Sequence, residues 1–148
     1  MVKEIIKDVD FLQKTSDRFY FAGDYIDGTM GSNDEYLIQD MLDTAEHHKD
    51  NCIGLAAVQI GVLKRIIVVY MGGKFVPFIN PVIIQRSRGT YMTKEGCLSL
   101  DGLRDVRRHD SIKVAYTTKN RKTKVQTFKG ITAQIIQHEV DHLNGKLI

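Results

Sequence analysis

His138-Glu139-Val140-Asp141-His142, close to the end of the chain, is an H-E-x-x-H run inside a stretch whose spacing predicts a helix over about 131–144, stopping before Gly145. On a helix, positions i and i+4 stack one turn apart on the same face. Two imidazoles so placed can bind one metal ion, while the Glu beside them can handle a water proton. Ahead of this helix the chain reads mostly as strands. Strands followed by one late helix carrying the metal motif predict an α+β fold, with antiparallel sheets around a metal-binding helix, rather than alternating α/β units.

The chain has 148 residues, which suits a single domain. Hydrophobic content of 43% and charged content of 26% are those of a globular protein. The formal charge is +3, gathered at Arg104, Arg107 and Arg108 and again at Lys119, Arg121, Lys122 and Lys124. Both clusters read as a solvated hairpin and loop, and no nucleic-acid module is present. The charged start, Met1-Val2-Lys3-Glu4-Ile5-Ile6-Lys7-Asp8, lacks the apolar centre of a signal peptide, and no apolar run approaches the ~20 residues of a membrane span. A cytoplasmic, monomeric protein is the expectation. Cys52 and Cys97 are too few for a disulfide scaffold.

No linker or repeat divides the sequence. Gly23 to Gly31 reads as an irregular loop, and Ser32-Asn33-Asp34-Glu35 has the form of a capping box. Leu37, Ile38, Met41, Leu42 and Ala45 then recur at helical spacing, predicting one N-terminal helix over about 33–50. Lys64 to Met71 predicts a buried strand. Phe75 to Gln85 is a second extended run, which Pro77 and Pro81 make an edge or broken strand. Ile112, Val114 and Tyr116 alternate, as do Val125 and Thr127, predicting a hairpin turning at Lys119 to Lys122.

An open metal site needs a third protein ligand besides the two histidines. Cys97, in Lys94-Glu95-Gly96-Cys97-Leu98-Ser99, is the best candidate, although a buried structural cysteine fits the same residue. The small residues of Cys52-Ile53-Gly54-Leu55-Ala56-Ala57-Val58-Gln59 allow close backbone packing. Gln59 ends that run either as a hydrogen-bond donor to a ligand or as a satisfied structural amide.

In this order and at these separations, residues 52–59, Glu95-Gly96-Cys97-Leu98-Ser99 and Gln137-His138-Glu139-Val140-Asp141-His142 resemble the three signature motifs of the peptide deformylase family. The resemblance runs from about the first helix to the end of the chain. It implies hydrolysis of the formyl group from N-formylmethionyl peptides of nascent proteins. It implies one divalent metal ion on Cys97, His138 and His142: Fe²⁺ in the cell, with Zn²⁺, Ni²⁺ or Co²⁺ also suited to thiolate and imidazole. Glu139 would be the proton carrier, and the Leu98 N–H and Gln59 amide would hold the developing oxyanion. Gln137, Asp141 and Glu95 would orient the ligands, and Ser99 reads as a turn residue. Ile131 and Ile135 lie on the helix face that continues into His138 and His142. With Ile53 they would form an apolar slot for the methionine side chain, or else pack as core. The substrate backbone would pair as an added strand with Ile53-Gly54 and Gly96.

Three positions depart from the family pattern. Cys52 replaces a customary glycine, Leu100-Asp101 stands where an apolar residue and proline are usual, and the sequence ends at Ile148 without the further strand and ribosome-docking helix of typical members. It is similar in this to short deformylase-like forms, so ribosome contact is expected to be weak at most. Two other readings are compatible with the motifs: a metal-binding paralogue that serves as a binding module, and an amidase for another N-acylated substrate.

Overall fold

The structure, a computed structural model, describes residues 1–21 and 36–148, together with the backbone of 25–26 and 29–30. A single helical turn, α1 (Val9–Leu12), is capped by the Asp8 carboxylate, which accepts from the backbone N–H of Asp10 and Phe11. Within the segment read as an irregular loop, β1 (Tyr25–Ile26) pairs antiparallel with β2 (Thr29–Met30). The Ser32 to Glu35 capping box lies outside the described residues. α2 (Leu37–His47) ends earlier than expected, because His48 leaves helical geometry at φ −101°, ψ 17°. From there the chain runs through β3 (Gly54–Ala56), a 3₁₀ turn (Ala57–Ile60), β4 (Ile66–Met71), β5 (Lys74–Arg86), β6 (Thr90–Glu95), β7 (Arg104–His109), β8 (Ser111–Thr117), β9 (Thr123–Lys129) and α3 (Gly130–Leu143).

The main sheet has the order β3-β4-β5-β8-β9, every neighbouring pair antiparallel. β4 explains its layering. Ile67 and Val69 point into one core with Phe78 and with Ala133, Ile136, Val140 and Leu143 of α3. Ile66 and Val68 point the other way, into a second core with Leu37, Met41 and Ala45 of α2. A strand apolar on both faces is one covered on both faces. β6 and β7 pair separately, beside α3, and bury the helix from its polar side. The expected arrangement of antiparallel sheets around the motif helix is the one observed.

β5 differs from its expectation. It lies in the middle of the sheet order, yet β4 pairs with Lys74–Ile79 and β8 with Ile79–Arg86, so each half has one partner over most of its length. Pro77 falls where only β4 pairs. Pro81 follows Asn80, at φ +50°, inside a register shift between Ile79 and Val82, where a missing N–H breaks no ladder bond. The β6–β7 hairpin was not expected. Thr90-Tyr91-Met92-Thr93 has strand chemistry, but the arginines opposite it read as solvated, and that reading fails at Arg108. This side chain is 5% exposed.

Phe78 is fully buried, with ring centroids 4.2 Å from Tyr116 and 5.6 Å from Phe128. It ties β5, β8 and β9 to the face that carries α3. Phe78→Ala is expected to lower unfolding free energy by about 3–5 kcal/mol, read from the urea midpoint.

Candidate active site

α3 is fixed at its C-terminal end and along one side. At its C-terminal end, Gly145 has φ +76°, and a Cβ there would meet the Gln13 carbonyl oxygen at 2.3 Å, so glycine alone lets the N-terminal segment pass. Arg65 donates to the Leu143 carbonyl at 3.2 Å, placing a cation at the negative end of the helix. Along the side, Gln137 accepts from the His109 N–H at 2.9 Å and donates to the His109 carbonyl at 3.0 Å, so its amide imitates a neighbouring strand. These contacts set the rotation of α3, and with it the direction of His138 and His142.

Cys97 sits on the loop joining β6 to β7. Its sulfur and one ring nitrogen from each of His138 and His142 lie within 4.8 Å of one another, the one such cluster among the described residues. His138 Nδ1 is 2.7 Å from a Glu95 oxygen. A carboxylate can only accept, so Nδ1 carries the proton and Nε2 is left to face His142 Nε2 at 3.2 Å. Two ring nitrogens so close need a shared cation between them, a proton or a metal ion.

The charges follow from burial and partners. Burial pushes the Glu95 carboxyl up, but hydrogen bonds from His138 and Arg108 outweigh it and hold it at about 2. Arg108 donates to both Glu95 oxygens, at 3.0 and 2.6 Å, and to Asp141 at 2.6 Å. Burial opposes the His138 imidazolium, yet the Glu139 charge and contacts with Cys97 and Glu95 lift it to about 10. Burial lowers His142 to about 3, and the positive charges of His138, Arg104 and Arg108 act in the same direction. The Cys97 thiol is pushed up by burial, but His138 and the backbone N–H groups of Ser99 and Leu100 hold it below its ordinary value. Burial dominates at Glu139 and raises it to about 7.

A thiolate, a neutral imidazole and a second imidazole that sheds its proton to a competing cation form a donor set that fits a divalent ion. Beside these donors Glu139 Oε1 is buried without a hydrogen-bond partner among the described residues. Beside the cluster opens a cavity of about 180 Å³. Ile53, Gly54, Gly96, Leu98, Ile135 and Glu139 form its wall. Gly54 is required there, since a Cβ would come within 2.6 Å of a Glu139 oxygen.

Not every expected residue reaches the cavity. Ile131 is 61% exposed and off the wall. Gln59 lies behind the wall, 2% exposed: its Oε1 accepts from the Ala56 N–H at 3.0 Å and its Nε2 donates to Ser99 Oγ at 3.2 Å. Ser99, read as a turn residue, is thus a partner of Gln59. Cys52 belongs to neither cluster nor disulfide; its buried thiol donates to the Gly54 carbonyl at 3.1 Å and is pushed up to about 12 by burial and the Glu139 charge. Cys52 does not have positive φ, so replacing a glycine costs no backbone strain. Two residues the sequence did not single out stand in the site: Arg108, and Gln134 on the cavity wall. The i, i+4 spacing of Gln134 and His138 was the signal for the latter.

A sequence profile of the polypeptide deformylase family matches residues 12–148. The chain is 43% identical to a peptide deformylase of Clostridium beijerinckii over all of both chains. It superposes on the crystal structure of peptide deformylase from Thermotoga maritima with TM-score 0.84 and 31% identity, covering 99% of this chain and 95% of the other. A Met-Ala-Ser-bound class I type b peptide deformylase from Acinetobacter baumannii gives TM-score 0.82 and 29% identity, covering 99% and 97%.

The depressed Glu95 group stabilises the folded state fully above about pH 4.5, and that contribution is lost as pH falls toward about 2. Glu95→Gln is expected to cost about 3 kcal/mol at neutral pH, because Arg108 and His138 lose a charged partner. The variant should also flatten the acid limb of stability between those two values, as urea unfolding at a series of pH values would measure.

Proposed function

The chain belongs to the polypeptide deformylase family, and from that premise we propose that Cys97, His138 and His142 hold one divalent metal ion while Glu139 carries the proton in its reaction. That reaction is removal of the formyl group from N-formylmethionyl peptides of nascent proteins, by a metal-dependent hydrolase. The observation that carries the residue assignment is the convergence of three donor atoms within 4.8 Å beside a walled cavity.

The ion would supply Lewis acidity, making water a stronger acid and polarising the formyl carbonyl. The chain's own groups account for the remaining work. Glu139, raised to about 7 by burial, takes a proton from water and returns it to the leaving amine as formate departs. The Leu98 N–H serves the developing oxyanion. Gln59 stands behind the wall, but with its oxygen fixed by Ala56 and one amide hydrogen taken by Ser99 it keeps a second hydrogen, which we assign to the oxyanion through the gap beside Leu98. Ile53 and Ile135 receive the methionine side chain, and the backbone at Gly54 and Gly96 pairs with the peptide.

Fe²⁺ is the proposed ion in the cell, and Zn²⁺, Ni²⁺ or Co²⁺ would occupy the same donors. No helix among the described residues is long and apolar enough to cross a membrane. A cytoplasmic place follows from the substrate, which is made there. Any contact with the ribosome would rest on Arg104, exposed Arg107 and the exposed Lys119, Lys122 and Lys124, since Arg108 is buried and paired. Such contact is electrostatic and weak at physiological salt.

Formate release from formyl-Met-Ala-Ser, with the acetylated peptide as control, tests the reading. Formate from the first and no acetate from the second is expected, and acetate released at a similar rate would point to a general amidase. Cys97→Ala, His138→Ala and His142→Ala should each lose metal on anaerobic analysis. Glu139→Ala should retain it while turnover drops at least ~10²–10⁴-fold; near-normal turnover would remove Glu139 from the mechanism. An iron-loaded sample should lose activity in air, because the thiolate is oxidisable, whereas a nickel- or zinc-loaded one should resist. Iron activity that survives prolonged aeration would argue against Cys97 as ligand.

A further inference from the structure

Gln134 stands one helical turn before His138 on α3, and its side chain forms part of the cavity wall together with Ile53, Leu98 and Ile135. The Tyr91 hydroxyl, reaching across from β6, donates to Gln134 Oε1 at 2.9 Å. Engaging the oxygen fixes the plane of the amide and turns Nε2 the other way. That nitrogen has two hydrogens and no protein partner among the described residues. Beside the apolar side chains of Ile53, Leu98 and Ile135, on a wall that also carries Asn51 and Lys94, the cavity therefore holds at Gln134 an oriented hydrogen-bond donor.

Resting on the reading of this cavity as the pocket for the first substrate side chain, we infer that Gln134 is a specificity-determining residue that admits side chains ending in a hydrogen-bond acceptor. A thioether sulfur is a weak acceptor and gains little from an amide N–H. A sulfoxide oxygen is a strong one. Buried against Ile53, Leu98 and Ile135 without a partner it is heavily disfavoured; against Nε2 it is satisfied. The chemical class so admitted is the N-terminal methionine sulfoxide peptide, alongside the methionine peptide. Tyr91 acts through Gln134 as a positioning residue: without its hydroxyl the amide is free to rotate, and its donor no longer has a fixed direction.

The test is equilibrium binding, which needs no turnover. Met-Ala-Ser and its methionine sulfoxide counterpart are titrated calorimetrically into the nickel-loaded full chain, the Gln134→Leu variant and the Tyr91→Phe variant. The quantity read is the ratio of the two dissociation constants. In the unmodified chain the sulfoxide peptide should bind within about tenfold of the methionine peptide, and Gln134→Leu should widen the ratio by a further ~10-fold, the worth of one neutral hydrogen bond. Tyr91→Phe should widen it by a smaller factor, and it also serves should the leucine variant fail to fold. A ratio unchanged in whichever variants fold, with both peptides bound, overturns the role of Gln134 and leaves the deformylase reading standing. Binding of neither peptide to the unmodified chain overturns the reading of the cavity itself, and the inference with it.

Discussion

Arg108 joins the motif helix to the loop that carries Cys97. Its guanidinium donates from β7 to Glu95 at the end of β6 and to Asp141 on α3, with 5% of its surface exposed. Glu95 in turn accepts from His138. One planar cation thus fixes a carboxylate, the carboxylate fixes an imidazole, and the imidazole presents its remaining nitrogen to the site. Lysine could not replace it, because a point charge lacks the fork that reaches both Glu95 oxygens and Asp141 together.

The same burial that makes this network strong makes α3 an unusual helix. Ala133, Ile136, Val140 and Leu143 pack on the main sheet, as an amphipathic stripe should. Its other side carries Gln137, His138, Glu139 and His142, all buried as well. A helix polar on one side and buried on both must satisfy that polar side internally. Gln137 does so against the His109 backbone, and His138 does so against Glu95. Glu139 and His142 each retain an atom without a partner. The Glu139 oxygen falls at the cavity wall, beside the three clustered donor atoms.

Close packing also limits what the cavity can be. Gly54 brings the β3 backbone against Glu139, so the edge of the sheet and the proposed proton carrier share one wall. The 3₁₀ turn after β3 places Gln59 beneath it, held by Ala56 and Ser99. Ser99 and Cys97 lie on the same loop, so Gln59 also links that loop to β3. Main sheet, helix and loop each supply part of the site, and none of them forms it alone.

From the sequence by itself came the parts that depend on local spacing. Histidines four residues apart needed only helical geometry to be placed together, the alternation at Ile112, Val114 and Tyr116 needed only the pleat, and the run Ile66 to Val69 needed only its continuous apolar character. The three short motifs were also legible, because each is contiguous and its residue types are chemically restrictive. The burial of Arg108 was not legible: in sequence it is one of several arginines, and only the pairing of β6 with β7 against α3 sets it between two carboxylates. Pro77 and Pro81 hinted at a break in β5 but not at a strand whose halves serve different partners. Ile131 and Ile135 follow the same helical period, yet the cavity takes Ile135 and Gln134 and leaves Ile131 outside. Periodicity gives the face of a helix, whereas the neighbours packed on that face decide where a cavity begins and ends, and those neighbours are set by contacts between segments far apart in the chain.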